Sequence, residues 1–189
     1  PKAQKYIVYF QTFSNTYASI QKLRKLYNEA LSHQNVSGLS IATRPDCINE
    51  SVLILLKEIQ TNGYLINLEI GIETTDNNIL KAINRGHTFE ETILALNLIK
   101  QFDIPVCAHI IFGLPYQTKE MMLNEANIIS KLPINSLKLH QLQVIKDTYL
   151  ANDYSENPEK YHIFELNEYI DFIIQFLEKL NPNILIERL

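Results

Sequence analysis

Glu73 is where a chemical reading of the chain begins. It stands at the polar end of an apolar run, Leu65-Ile66-Asn67-Leu68-Glu69-Ile70-Gly71-Ile72-Glu73. A run of this length suits a strand of a parallel sheet shielded by helices. A carboxylate at the carboxyl end of such a strand sits where α/β folds bind ligands. Asp76-Asn77-Asn78 follows as a helix start, so capping that helix is the competing role for Glu73. Polar residues gather after the other apolar runs too: Gln11, Ser14, Asn15 and Thr16; Thr43, Arg44 and Asp46; His109, with Gly113 and Pro115; and His140, Gln141 and Gln143. Arg44 has the planar fork that captures a carboxylate or phosphate, or it pairs with Asp46. Gly113 suits either close approach of backbone to a ligand or a plain turn. His109 and His140 fit a hydrogen-bonded core as well as catalysis. Cys107 reads as a small buried hydrophobe, and Cys47 has no neighbouring base to make it a nucleophile. The set is a polar mouth without an acid, base and nucleophile constellation, which points to a cofactor that does the hard chemistry while the protein binds and orients it.

The elements that must place these residues alternate along the chain. Tyr6–Phe10 reads as a strand, followed by a helix from about Ala18 to Ser32 with Ile20, Leu23, Tyr27 and Leu31 on one face. Gly38–Ala42 is the next strand, and Asn49 caps a helix bearing Val52, Leu55, Leu56 and Ile59. After the strand ending at Glu73 come a short helix near Asn77 to Ile83 and a longer one ending near Phe102. Pro105–Phe112 is a strand, Thr118 caps a helix to Lys131, and Ser136–Val144 is a further strand. A polar excursion, Asp153–Lys160, precedes a helix over Leu166–Leu180 and a last strand at Ile184–Ile186. Six strands against five helical connections predict right-handed βαβ units and a parallel α/β sheet in a single domain over residues 1–189. Polar residues at every strand end, and the absence of a Gly-rich dinucleotide fingerprint or phosphate loop, favour a barrel or partial barrel over a doubly wound sheet.

At 189 residues, with 46% hydrophobic content, the chain can bury a real core, and a formal net charge of −4 argues against this segment alone clamping a nucleic-acid backbone. Two distant cysteines suggest neither a disulfide framework nor a metal knuckle. No stretch has transmembrane length and the start lacks a signal pattern, so a cytoplasmic protein without membrane contact is expected.

Five stretches in register carry a resemblance: Tyr9-Phe10-Gln11 through Ser14-Asn15-Thr16-Tyr17; Ala42-Thr43-Arg44-Pro45-Asp46; Gly71-Ile72-Glu73-Thr74; Asn84-Arg85-Gly86-His87; and His109-Ile110-Ile111-Phe112-Gly113-Leu114-Pro115. In this order and spacing the chain resembles the radical S-adenosylmethionine (radical SAM) enzymes, in the YhcC/YtqA-type branch related to the radical domain of the elongator acetyltransferase. The resemblance implies a parallel partial (β/α)6 barrel of the TIM type. It also implies that the family's first strand and the loop whose three cysteines hold a [4Fe-4S] cluster are absent from this chain, a view that its lack of an initiator Met supports. Ser14, Asn15 and Thr16 then stand where the family meets the amino group of S-adenosylmethionine, in position only, since the family's Gly-Gly-Glu letters are not there. Glu73 falls on the ribose hydroxyls, Ile111, Gly113 and Leu114 along adenine, and Leu142 to Val144 on the last strand contacting the base. Arg44 becomes a candidate for the methionyl carboxylate or the substrate. The intact protein would cleave S-adenosylmethionine reductively at the cluster, fed by a flavodoxin or ferredoxin, and abstract hydrogen from a substrate, a tRNA nucleoside by kinship. A non-catalytic α/β module binding a nucleotide-like ligand or a partner protein is the alternative.

Overall fold

The computed structural model describes residues 3–189. Its strands are β1 (Tyr6–Phe10), β2 (Val36–Thr43), β3 (Leu65–Glu73), β4 (Val106–Phe112), β5 (Ser136–Gln141) and β6 (Leu185–Arg188). Its helices are α1 (Ile20–Leu31), α2 (Glu50–Thr61), α3 (Asn77–Ala82), α4 (Phe89–Gln101), α5 (Lys119–Ile129), α6 (Tyr149–Glu156) and α7 (Leu166–Lys179). The strands form one sheet in the order β1-β2-β3-β4-β5-β6, with β1/β2, β2/β3 and β5/β6 parallel. An order that never reverses is that of a barrel wall, because a doubly wound sheet must switch direction once.

Strand β3 alternates except at Glu69, which is buried on the more polar face. Ile66, Leu68, Ile70 and Ile72 are buried, whereas Asn67, Gly71 and Glu73 on the other face are only half-buried. Period two therefore gives the sheet an apolar face and a second face carrying polar groups.

The chain divides into two compact units. The first, residues 1–71, 90–108 and 133–135, buries Leu23, Tyr27 and Leu31 of α1, Leu39 and Ile41 of β2, and Val52, Leu53, Leu55, Leu56 and Ile59 of α2. Asn49 caps α2 by accepting from the Val52 amide at 3.1 Å. Asn49→Ala is expected to cost about 1 kcal/mol of stability, read as a lowered denaturation midpoint at unchanged slope.

The second unit, residues 72–89, 109–132 and 136–189, is built around Phe112, whose ring meets Phe172 and Phe176 edge-on at 4.8 and 5.0 Å. Two expectations change here. The Asp153–Lys160 excursion is largely helical, with α6 capped by Thr148 and followed by a 3-10 turn at Pro158–Lys160. Strand β5 stops at Gln141, so Leu142, Gln143 and Val144 are not strand residues. The Leu142 amide still pairs with the Phe112 carbonyl, and the chain then leaves the ladder for a turn at Asp147, whose φ is +64°.

Candidate active site

The end of β3 is a turn that an ordinary residue resists. Glu73 has φ +66°, and the Thr74 amide folds back to the Ile72 carbonyl at 2.9 Å. A three-residue turn with positive φ at its centre is the rare, strained hand of the γ-turn, and side-chain-bearing residues in such conformations cost on the order of 1–3 kcal/mol. Strain of this kind persists where surrounding structure holds it and concentrates at functional sites. The helix that follows does not use Glu73: Asp76 caps α3 by accepting from the Asn78 and Ile79 amides at 2.7 and 3.2 Å. The competing role for Glu73 is thus filled by its neighbour.

Glu73 instead meets Arg85, from the Asn84-Arg85-Gly86-His87 loop, at 2.6 Å, with side chains 13% and 26% exposed. Burial pushes the Glu73 carboxyl above its ordinary range, and the charges of Arg85 and His109 pull it back. A carboxylate held in a half-dry site beside a guanidinium is a strong acceptor pair for hydroxyl groups.

The end of β4 supplies a second wall of the same unit. Gly113 has φ +87°, and a Cβ there would lie 2.3 Å from the His162 carbonyl oxygen. Glycine is therefore required first by the chain's own 158–164 segment, which also accepts the Tyr116 amide at the Lys160 carbonyl. The Gly113 and Leu114 amides both donate to Gln117 Oε1, at 3.0 and 3.1 Å. Ile111 is half-buried two residues from His109, and the His109 and His140 rings lie 5.2 Å apart at a tilt of 31°.

In the first unit, Ser14, Asn15 and Thr16 follow β1. Asn15 Nδ2 donates to the Phe10 and Ala42 carbonyls, both at 3.0 Å, fastening the loop to the ends of β1 and β2. Thr16 is buried, its hydroxyl 2.6 Å from that of Thr43 and donating to the Cys47 carbonyl. Both side chains hold the loop itself, and its backbone is engaged as well: the Asn15 amide donates to the Ala42 carbonyl at 3.1 Å and the Asn15 carbonyl accepts from the Tyr27 hydroxyl at 2.7 Å. Arg44 forms a two-pronged ion pair with Asp46, so the local pairing open to it in the sequence is the one it adopts. On β3, Glu69 is buried and accepts from Tyr9 at 2.7 Å and from Ser40.

Arg85, Gln117 and Glu125 were not legible as site residues. Arg85 lay within a motif without a partner named for it. Glu125 carried a usable signal: it interrupts the buried stripe Met122, Ala126 and Ile129 of α5, and a carboxyl on a helix's apolar face needs a specific reason.

Among the described residues no group of three or more His, Cys, Asp or Glu is arranged to hold a metal, and Cys47 and Cys107 are both buried. Toward a nucleoside-bearing cofactor the half-buried Glu73 offers hydroxyl acceptors, whereas the described residues offer no ligand set for an iron-sulfur cluster. No helix among the described residues is long and apolar enough to cross a membrane.

A parallel α/β sheet of unreversed order with a half-buried carboxylate at a strand end defines a barrel-type fold, and comparison with known proteins makes the class specific. Residues 2–128 match the model of the radical SAM superfamily and residues 134–189 that of the Radical_SAM C-terminal domain. The chain belongs to the radical SAM superfamily. It is 34% identical over 188 residues to the uncharacterized protein YtqA of Bacillus subtilis, covering 100% of this chain and 58% of YtqA. It is 30% identical over 169 residues to the tRNA uridine(34) acetyltransferase of Methanocaldococcus jannaschii, covering 87% of this chain and 29% of that protein. The solved structure of archaeal Methanocaldococcus infernus Elp3 superposes with a TM-score of 0.70 at 25% identity, over 89% of this chain and 38% of that one. The fold is thus the partial barrel expected from the sequence, and the chain spans less than two thirds of the length of these relatives.

Proposed function

We propose that this chain holds S-adenosylmethionine for a radical SAM enzyme that modifies a tRNA nucleoside. The observation that supports this most is Glu73, kept in a strained turn, half-dry, and released from helix capping by Asp76. Its two carboxylate oxygens suit the vicinal hydroxyls of a ribose. Ile111, Gly113 and Leu114 offer an apolar edge and backbone to adenine, with Leu142 and Val144 beyond β5 on the base. Ser14, with the second lone pairs of the Asn15 and Thr16 carbonyls, takes the amino group, because the Asn15 and Thr16 side chains and the Asn15 amide are engaged within the first unit. Arg44 would reach the methionyl carboxylate or substrate only by exchanging Asp46 for it. With a [4Fe-4S] cluster, for which the described residues offer no ligand set, and one electron from a flavodoxin- or ferredoxin-type reductant, the cofactor would supply hydrogen-abstracting chemistry. The protein's own part is to bind, orient and exclude water. The tRNA assignment rests on kinship with the tRNA uridine(34) acetyltransferase.

The test is anaerobic reconstitution of the full-length protein followed by titration with S-adenosylmethionine. Saturable binding and release of 5′-deoxyadenosine on reduction are expected, with turnover raised by added tRNA. A reconstituted protein that ignores S-adenosylmethionine overturns the reading; turnover indifferent to tRNA removes the substrate class alone.

A further inference from the structure

Two segments of the second unit, the Glu73 turn and the Gly113–Leu114 loop, converge on one buried side chain that the cofactor roles above do not use. Glu125, in the middle of α5, is 3% exposed. Its Oε1 accepts from the Thr74 hydroxyl and from the Thr75 amide at 2.9 Å, the two residues directly after Glu73. The same oxygen lies 3.5 Å from Gln117 Nε2. Gln117 is itself buried, and its Oε1 takes the Gly113 and Leu114 amides. The chain of contacts therefore runs without a gap from one strand end to the other: Thr74 and Thr75, Glu125, Gln117, Gly113 and Leu114. Glu125 Oε2 is buried with no hydrogen-bond partner among the described residues. A helix stripe otherwise made of Met122, Ala126 and Ile129 gains no packing from such a group. Its retention is explained by what Oε1 holds.

We propose that Glu125 and Gln117 are positioning residues, a buried clamp that fixes the Glu73 turn and the Gly113–Leu114 amides so that the ribose and adenine of S-adenosylmethionine meet preformed partners. The strained turn supplies the reason. A residue at φ +66° relaxes toward extended backbone unless the segment after it is held, and Glu125 holds that segment at the Thr74 hydroxyl and the Thr75 amide. Sites whose supporting residues are loosened lose affinity even when every contacting group remains. The clamp rests on the cofactor reading above.

The test uses the full-length, reconstituted protein, with affinity for S-adenosylmethionine from equilibrium dialysis and amide hydrogen exchange by mass spectrometry. Glu125→Ala is expected to weaken binding by about tenfold or more and to speed exchange at Thr75, Gly113 and Leu114. Glu125→Gln keeps the accepting oxygen and should restore both to within about twofold of the parent. Thr74→Val preserves shape, removes one donor to the clamp and should weaken binding severalfold; it decides the matter if the alanine variant does not fold. A folded Glu125→Ala protein, or a Thr74→Val protein, with parental affinity overturns the clamp and leaves the cofactor reading standing. A parent that binds no S-adenosylmethionine overturns both.

Discussion

Alanine at position 73 is expected to weaken S-adenosylmethionine binding by about 10–100-fold, and glycine to weaken it equally while melting at a higher temperature than alanine. Both substitutions remove the oxygens that would accept from the ribose hydroxyls, and the expected loss matches the net contribution of about 1.5–3 kcal/mol of one charge-assisted bond, the carboxylate being shared with Arg85. Both also deprive Arg85 of its 2.6 Å partner, so that loss cancels between them. The remaining difference is the backbone. At φ +66° a Cβ is strained and a glycine is not. Glycine should therefore exceed alanine by about 1 kcal/mol, even against its greater freedom in the unfolded chain. Calorimetric titration gives the first quantity and thermal melts at one pH the second. Parental affinity in either variant would remove Glu73 from the ribose. Equal melting would mean that the turn stores no strain.

Much of the fold was open to a reading of residue types, because most of its elements announce themselves locally. Asn49 and Thr118 cap α2 and α5 as their positions imply, and α1, α2 and α7 carry the apolar stripes that give a helix its buried face. The parts that were not legible lack that local signal. Helix α6 buries none of its residues, so no periodicity marks it, and only Thr148 accepting at the Ala151 amide betrays its start. The end of β5 is likewise invisible in Leu142-Gln143-Val144, whose types suit a strand. A tertiary decision, the turn at Asp147, removes them from the ladder.

The site divides along the same line. Glu73 stood out as a candidate because a carboxylate ending a strand is conspicuous. Its rivalry with Asp76 for the helix cap was decided only by geometry, since both are acidic and three residues apart. Gly113 was legible as a glycine under constraint, yet the constraint comes first from the His162 carbonyl, 49 positions away in the sequence. Arg85 and Glu125 act through partners 12 and 51 residues distant. No spacing rule joins such pairs, because a loop closed by tertiary packing sets their separation.

Glu125 should also leave a signature in the pH dependence of stability, and it is the larger of the two effects on folding. Burial raises its carboxyl from the ordinary 4.5 to about 7, opposed by the bonds from Thr74 and Thr75 and aided by the nearby charge of Asp76. Between these two values the native protein binds a proton that the unfolded chain has already released. Stability therefore falls as pH rises across that window and is level, in this group's contribution, below and above it. At about 1.4 kcal/mol per pH unit the interval amounts to about 3 kcal/mol. Glu125→Gln has no proton to lose and keeps the oxygen that Thr74 and Thr75 address. The glutamine variant should match the parent near pH 4.5 and exceed it by about 3 kcal/mol at pH 8. Denaturant midpoints of the two proteins, measured side by side, isolate the effect, because every other carboxylate titrates in both. Parallel curves would show that Glu125 titrates in the native state as it does in the unfolded chain, and so is ionised across this window. The clamp would then hold Thr74 and Thr75 by a charge, and glutamine would be a poorer substitute at the cofactor site than a neutral carboxyl requires.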